Sequence, residues 1–160
     1  MRLSDLWKRH PDSPAVVALP PVVYGLGFLI GYACNLWWGW SFGVGEATAL
    51  GWLLVGGGGL LAIWAALHFR RAGTAIPPHM PTTAIVDSGP YRATRNPMYV
   101  ALAVVHIGLA AALDAPAALL ALAVILPVMH WGVVLREEAY LEAKFGEAYS
   151  WYKQKVKRYL

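Results

Sequence analysis

Charge is scarce in this 160-residue chain: Asp, Glu, Lys and Arg make up 14% of it, against about 25% in typical soluble proteins. So few charges could not cover the surface of a soluble fold of this length. A disordered chain is excluded by the same composition, because 58% of the residues are hydrophobic. The low density of basic residues argues against a nucleic-acid-binding domain. Cysteine is nearly absent. Cys34 stands alone, which rules out a disulfide framework and a cysteine-based metal site, and it reads as a small apolar side chain in a helix. No metal-ligand spacing links the histidines, and neither a Ser-His-Asp arrangement nor a phosphate-binding glycine loop is present.

What the chain has instead is long uncharged runs, with a mean hydropathy of +0.48. They cover Ala15–Trp38, Ala47–Phe69, Pro97–Leu113 and Pro116–Leu135. Each approaches the roughly 20 residues that cross a bilayer core as a helix, the third being the shortest. The first is too long for a cleavable leader and runs into Trp37, Trp38 and Trp40, which suit an interfacial belt. All 13 basic residues fall on one side of a four-span arrangement. Arg2, Lys8 and Arg9 precede the first span, and Arg70, Arg71, Arg92 and Arg95 lie in the middle loop. The remaining six follow the fourth span, and the opposite loops hold none. We therefore expect one all-α domain over residues 1–160, polytopic, with about four transmembrane helices and a C-terminal amphipathic helix. Both termini and the middle loop are expected in the cytoplasm, at a bacterial-type inner membrane. Pro20, Pro21 and Pro127 are expected to kink helices, and Gly56–Gly59 to permit close helix contact.

Chemistry concentrates in the middle loop and the tail. The loop from Arg70 to Asn96 contains Pro77, Pro78, Pro81 and Pro90, so it is no continuous helix, and its length signals function. It ends in Gly89-Pro90-Tyr91-Arg92-Ala93-Thr94-Arg95-Asn96-Pro97-Met98-Tyr99. Gly-Pro predicts a turn, and Asn96-Pro97 predicts a helix start with Asn96 as the cap. A helix start offers free N–H groups to a polar ligand, and two tyrosines and two arginines crowd this one. After the fourth span come Arg136-Glu137-Glu138, then Leu141, Phe145, Tyr149, Tyr152 and Val156 at helical spacing. That stripe suits a helix on the membrane surface or one closing over the loop. Glu137 and Glu138 point about 100° apart on a helix. His130, seven residues earlier, shares a face with Glu137, so Glu137 is the inward candidate. Glu138 is expected to be solvated or paired with a basic residue. His106 reads as an interhelical hydrogen-bond partner, whereas structural and functional readings are both open for His130.

From Phe69 to Tyr152 the chain resembles the isoprenylcysteine carboxyl methyltransferase and phospholipid methyltransferase group of membrane enzymes. The likeness rests on Ala72-Gly73-Thr74, on the Gly89–Tyr99 stretch, and on Arg136-Glu137-Glu138 followed by Phe145-Gly146 and Tyr149. It implies S-adenosylmethionine as cofactor, released as S-adenosylhomocysteine, in a site at the cytoplasmic ends of the last spans. Position by position, it implies cofactor contacts at Ile85, Val86 and Tyr91. Further contacts are implied at Asn96, Pro97, Met98, Tyr99 and Glu137. Val133 stands where the eukaryotic prenylcysteine enzymes carry a substrate-orienting arginine, and Thr83 replaces a histidine they carry. Both departures speak against prenylcysteine itself.

Partners expected from this reading are membrane lipids and a small lipophilic acceptor, an isoprenylcysteine-type carboxylate, lipid amine or thiol, with no nucleic acid and no metal. His130 and Arg136 are the candidate acceptor contacts, and the gap beside Gly56–Gly59 is the expected entrance. The alternatives are a non-enzymatic helix-packing module and a membrane reductase related to sterol reductases.

Overall fold

A computed structural model describes residues 11–43, 45 and 47–160. Arg2, Lys8 and Arg9 of the charge map lie outside the described residues. Every regular element among the described residues is helical. Helix α1 covers Pro20–Trp38 and α2 covers Ala47–Arg71; a 3-10 turn at Gly89–Arg92 precedes α3, Pro97–Ala112. Then follow α4 (Pro116–Leu120), α5 (Leu122–Met129), a π-helical turn (His130–Val134), α6 (Leu135–Phe145) and α7 (Glu147–Lys155). Two helical stretches are long and apolar enough to cross a membrane, Ala47–Arg71 and the continuous rod Pro116–Phe145; Pro97–Ala112 is apolar but shorter.

Local chemistry explains where the elements depart from the expected runs. The first helix begins at Pro20, five residues into the expected span, because two successive prolines suit a helix start but not its interior. Ahead of it the chain is extended, and the Val17 N–H donates to the Gly132 carbonyl at 3.0 Å. The fourth run is not a uniform α-helix. Pro127 has no N–H to give the carbonyl four residues back, and the rod widens into the π-helical turn immediately after it. Beyond Phe145 the helix stops at Gly146, whose φ of +53° lies in the region that favours glycine. The tail is therefore two short helices instead of one.

Helices α2 and α3 pack through small residues. A Cβ at Gly108 would sit 2.7 Å from the Gly51 carbonyl oxygen, and one at Gly58 would sit 3.0 Å from that of Ala101. Gly56, Gly57 and Gly59 meet nothing within 4 Å. The expected entrance beside the glycine run is thus not a gap: Gly58 closes it against α3, and its three neighbours face outward. Gly51→Val is expected to force the two backbones apart and to cost about 3 kcal/mol or more. Gly57→Val, in open space, should leave the fold intact; thermal unfolding in detergent compares the two.

A polar knot closes the end opposite the middle loop. Asn35 donates to the carbonyls of Trp40 at 2.9 Å and Asp114 at 3.4 Å, and its oxygen accepts from the Ala117 N–H. The Asp114 carboxylate accepts from the Ser41 hydroxyl and the Phe42 N–H. His106 behaves as expected, pairing with the Ala118 carbonyl at 2.8 Å and so tying α3 to α4. Large apolar side chains such as Leu29, Ile30, Leu53, Ile63 and Val124 project outward, as suits helices solvated by lipid.

Candidate functional site

At the other end the proline-rich loop folds back on the helices. The Thr83 N–H donates to Thr74 Oγ1 at 2.9 Å and its hydroxyl donates to the Gly73 carbonyl at 3.1 Å. The Thr82 N–H reaches the Tyr140 hydroxyl on α6. Gly89 then turns with φ +58°, its Cα flat against the His68 imidazole, where any Cβ would collide. Only glycine meets both demands. The turn drives Tyr91 inward, where its ring packs at 5.1 Å from that of Phe69 and its carbonyl accepts from the Tyr152 hydroxyl at 2.8 Å.

The start of α3 is held from above by the C-terminal segment. The Lys157 carbonyl accepts from the Arg95 N–H at 2.9 Å. That of Arg158 accepts from the Thr94 hydroxyl at 3.0 Å and the Asn96 amide at 2.9 Å. Asn96 therefore occupies the cap position without capping: its side chain belongs to the tail. Beneath this strap lies Glu138, buried and not solvated. Arg158 grips it with two bonds of 3.0 and 2.8 Å, and Arg95 reaches it at 3.0 Å. The expected pairing with a basic residue holds, with two arginines instead of one.

Between loop, α3, α6 and α7 is one cavity. Ile85 and Val86 form one edge and Tyr91 its floor; Asn96, Pro97, Met98 and Tyr99 supply the α3 side, and Glu137 the α6 side. All eight residues expected at the cofactor thus line a single space. Glu137 Oε1 accepts from the Tyr99 hydroxyl at 2.7 Å; its second oxygen takes no hydrogen bond from the described residues. The Tyr91 hydroxyl is buried and has no hydrogen-bond partner among the described residues. Such an orphan is costly unless a ligand satisfies it. Burial keeps the phenols here neutral: it pushes Tyr149 up to about 12, with the Glu138 carboxylate adding to the effect, and raises Tyr91 and Tyr152 well above the usual tyrosine range. The cavity thus offers an uncharged donor, one carboxylate oxygen of Glu137, the mutually neutralised Arg95–Glu138 pair and apolar walls from Phe69, Ile76, Pro77 and Pro78. That combination suits a flat or apolar body carrying a positive charge.

Neither candidate acceptor contact reaches this cavity. His130 lies in a neighbouring apolar cleft with Tyr24 and Tyr99. Its Nδ1 pairs with the Tyr159 hydroxyl at 2.9 Å. The π-helical turn between His130 and Glu137 breaks the shared helical face that placed them together. Arg136 points to the N-terminal segment and donates to the Ala15 carbonyl at 2.8 Å. Sequence reasoning allowed Glu138 a basic partner but did not name Arg158, which lies 20 positions away, or Arg95, and it missed the strap, which acts through backbone carbonyls. A second arginine in a tail that follows two glutamates is the one sequence signal that pointed there.

Among the described residues the fold is all-helical, with two stretches long and apolar enough to cross a membrane and a cavity at one end of the bundle. Residues 47–148 match the phospholipid methyltransferase family. The chain belongs to that family, and membership implies a membrane methyltransferase. An uncharacterized protein of Haemophilus influenzae is 38% identical over 63 residues, which is 39% of this chain and all of that relative.

Proposed function

We propose that the chain transfers a methyl group from S-adenosylmethionine to a small lipophilic acceptor at the cytoplasmic face of a bacterial inner membrane. The observation that carries this reading is the convergence of the eight expected cofactor residues on one cavity. The residues fit the cofactor chemically. Glu137 has a free oxygen for the α-ammonium or ribose hydroxyls by charge-assisted hydrogen bonds, and the orphaned Tyr91 hydroxyl is a ready donor. The cofactor, when bound, supplies an electrophilic methyl carbon. This chain supplies alignment and a water-poor enclosure: the loop and α7 cover the cavity, and the strap fixes the start of α3. A four-span topology with both termini cytoplasmic puts the cavity, the loop and the basic residues on the same side. Four spans around a cytoplasmic site make sense for an acceptor that reaches it from the bilayer, which supports a lipophilic substrate.

A thermal-shift comparison in detergent tests the reading, since a ligand that binds the native state raises its stability. S-adenosylmethionine and S-adenosylhomocysteine are expected to raise the unfolding midpoint and NADPH to leave it unchanged. A shift with NADPH alone would favour a reductase, and no shift with any of the three a helix-packing module. Tyr91→Phe is expected to weaken S-adenosylhomocysteine binding roughly tenfold, the value of about one hydrogen bond. Its stability should be unchanged or higher, because the hydroxyl it removes has no partner among the described residues; titration calorimetry and thermal unfolding read the two effects.

A further inference from the structure

A second cavity adjoins the first. It is an apolar cleft between the start of α1, the proline-rich loop and the start of α3, lined by Pro20, Val22 and Leu102 among others. It shares Ile76, Pro77, Pro78, Met98 and Tyr99 with the cofactor cavity, so a molecule seated in one reaches the wall of the other. Among the described residues no Asp, Glu, Lys or Arg lines it. The one imidazole is His79, whose Nδ1 is buried and has no hydrogen-bond partner. His130, in the cleft on the other side of Tyr99, has its Nδ1 taken by Tyr159. His79 therefore brings to this cleft a buried ring nitrogen that no described residue occupies, whereas His130, of which only Nδ1 is taken, belongs to the cleft on the other side of Tyr99.

We propose that the acceptor sits in this cleft and that His79 Nδ1 accepts a hydrogen bond from its head group, which makes His79 a specificity-determining residue. The inference rests on the methyltransferase reading above. The acceptor is then an amphiphile with an apolar body and a neutral head group that has a hydrogen to donate: a hydroxyl or a thiol. A charged head group, carboxylate or ammonium, is refused, because the cleft has neither a cation nor an anion to pair with it and a buried unpaired charge is heavily penalised. The apolar body lies against Pro20, Val22 and Leu102, at the rim between α1 and α3.

The test uses the full chain, labelled with ¹⁵N-histidine, in nanodiscs of dioleoylphosphatidylcholine, whose head group has no hydrogen to give. Dodecanol, dodecanethiol and dodecanoate are the probes. The His79 ring resonances should shift with the alcohol or the thiol and stay put with dodecanoate, and those of His130 should not respond. His79→Leu should raise the Kd of the responding probe at least about tenfold, while His79→Asn, whose Oδ1 falls near the place of Nδ1, should stay within about threefold. A response at His130 instead of His79, a response to dodecanoate, no response to any probe, or equal loss in the Leu and Asn variants would overturn the proposal. Calorimetry with S-adenosylhomocysteine on the same nanodiscs separates the two readings. Absence of cofactor binding defeats the methyltransferase reading, whereas intact cofactor binding with an unresponsive His79 defeats only the acceptor site.

Discussion

Glu137→Gln is expected to weaken S-adenosylhomocysteine binding roughly thirty- to hundredfold, about 2–3 kcal/mol, the range for a hydrogen bond to a charged group. The substitution preserves shape: the glutamine oxygen can still accept from the Tyr99 hydroxyl, now at 2.7 Å from Glu137 Oε1. What is lost is the charge and the acceptor capacity of the second oxygen, which no described residue uses. In its place stands an amide that donates, facing a ligand ammonium that also donates. Stability should change little. Titration calorimetry gives the affinity and thermal unfolding the control. Unchanged affinity would remove Glu137 from the cofactor site, and a collapse of stability would make its role architectural.

Glu138→Ala should do the reverse, with the larger effect on folding. Glu138 and Arg95 have side chains that are 8% and 9% exposed. Removing the carboxylate leaves the Arg95 guanidinium buried without its counter-charge, at a cost of about 3–5 kcal/mol. It also frees Arg158, whose backbone carbonyl holds Thr94 and Asn96, so the start of α3 loosens with the tail. Arg158→Ala is expected to cost far less, about 1 kcal/mol: that side chain is 34% exposed and Arg95 still neutralises Glu138. Denaturant unfolding in mild detergent ranks the two. Equal losses would mean that the strap, not the buried charge, is what Glu138 supports.

The two glutamates show what a sequence reveals and what it hides. Their angular separation on a helix was legible, but the face shared with His130 that singled out Glu137 is broken by the π-helical turn, and both glutamates line the cavity. The environment of Glu138 was not, because burial of a carboxylate depends on partners brought in by the fold. The Gly89–Tyr99 stretch was legible for a related reason: turn chemistry is local, and Gly89 with its positive φ and Pro97 at the first helical position each act on their immediate neighbours. Asn96 holds the cap position as expected, but its side chain makes no capping bond, because its partner, the Arg158 carbonyl, comes from 62 residues away. Helical periodicity failed between His130 and Glu137, where Pro127 and the π-helical turn change the number of residues per turn. The glycine run looked like an opening, yet Gly51 and Gly108, outside it, make the tight contacts between α2 and α3. Composition locates long helices well; it does not say which side of a glycine faces a neighbour.

The most direct measurement of the central claim is a structure of the chain determined with S-adenosylhomocysteine bound. The ligand is predicted between Ile85, Tyr91, Asn96 and Glu137, with the Tyr91 hydroxyl and the second Glu137 oxygen within hydrogen-bond distance of it and its sulfur toward Tyr99. Ligand density in any other place, or a Tyr91 hydroxyl still without a partner in the complex, would contradict the account.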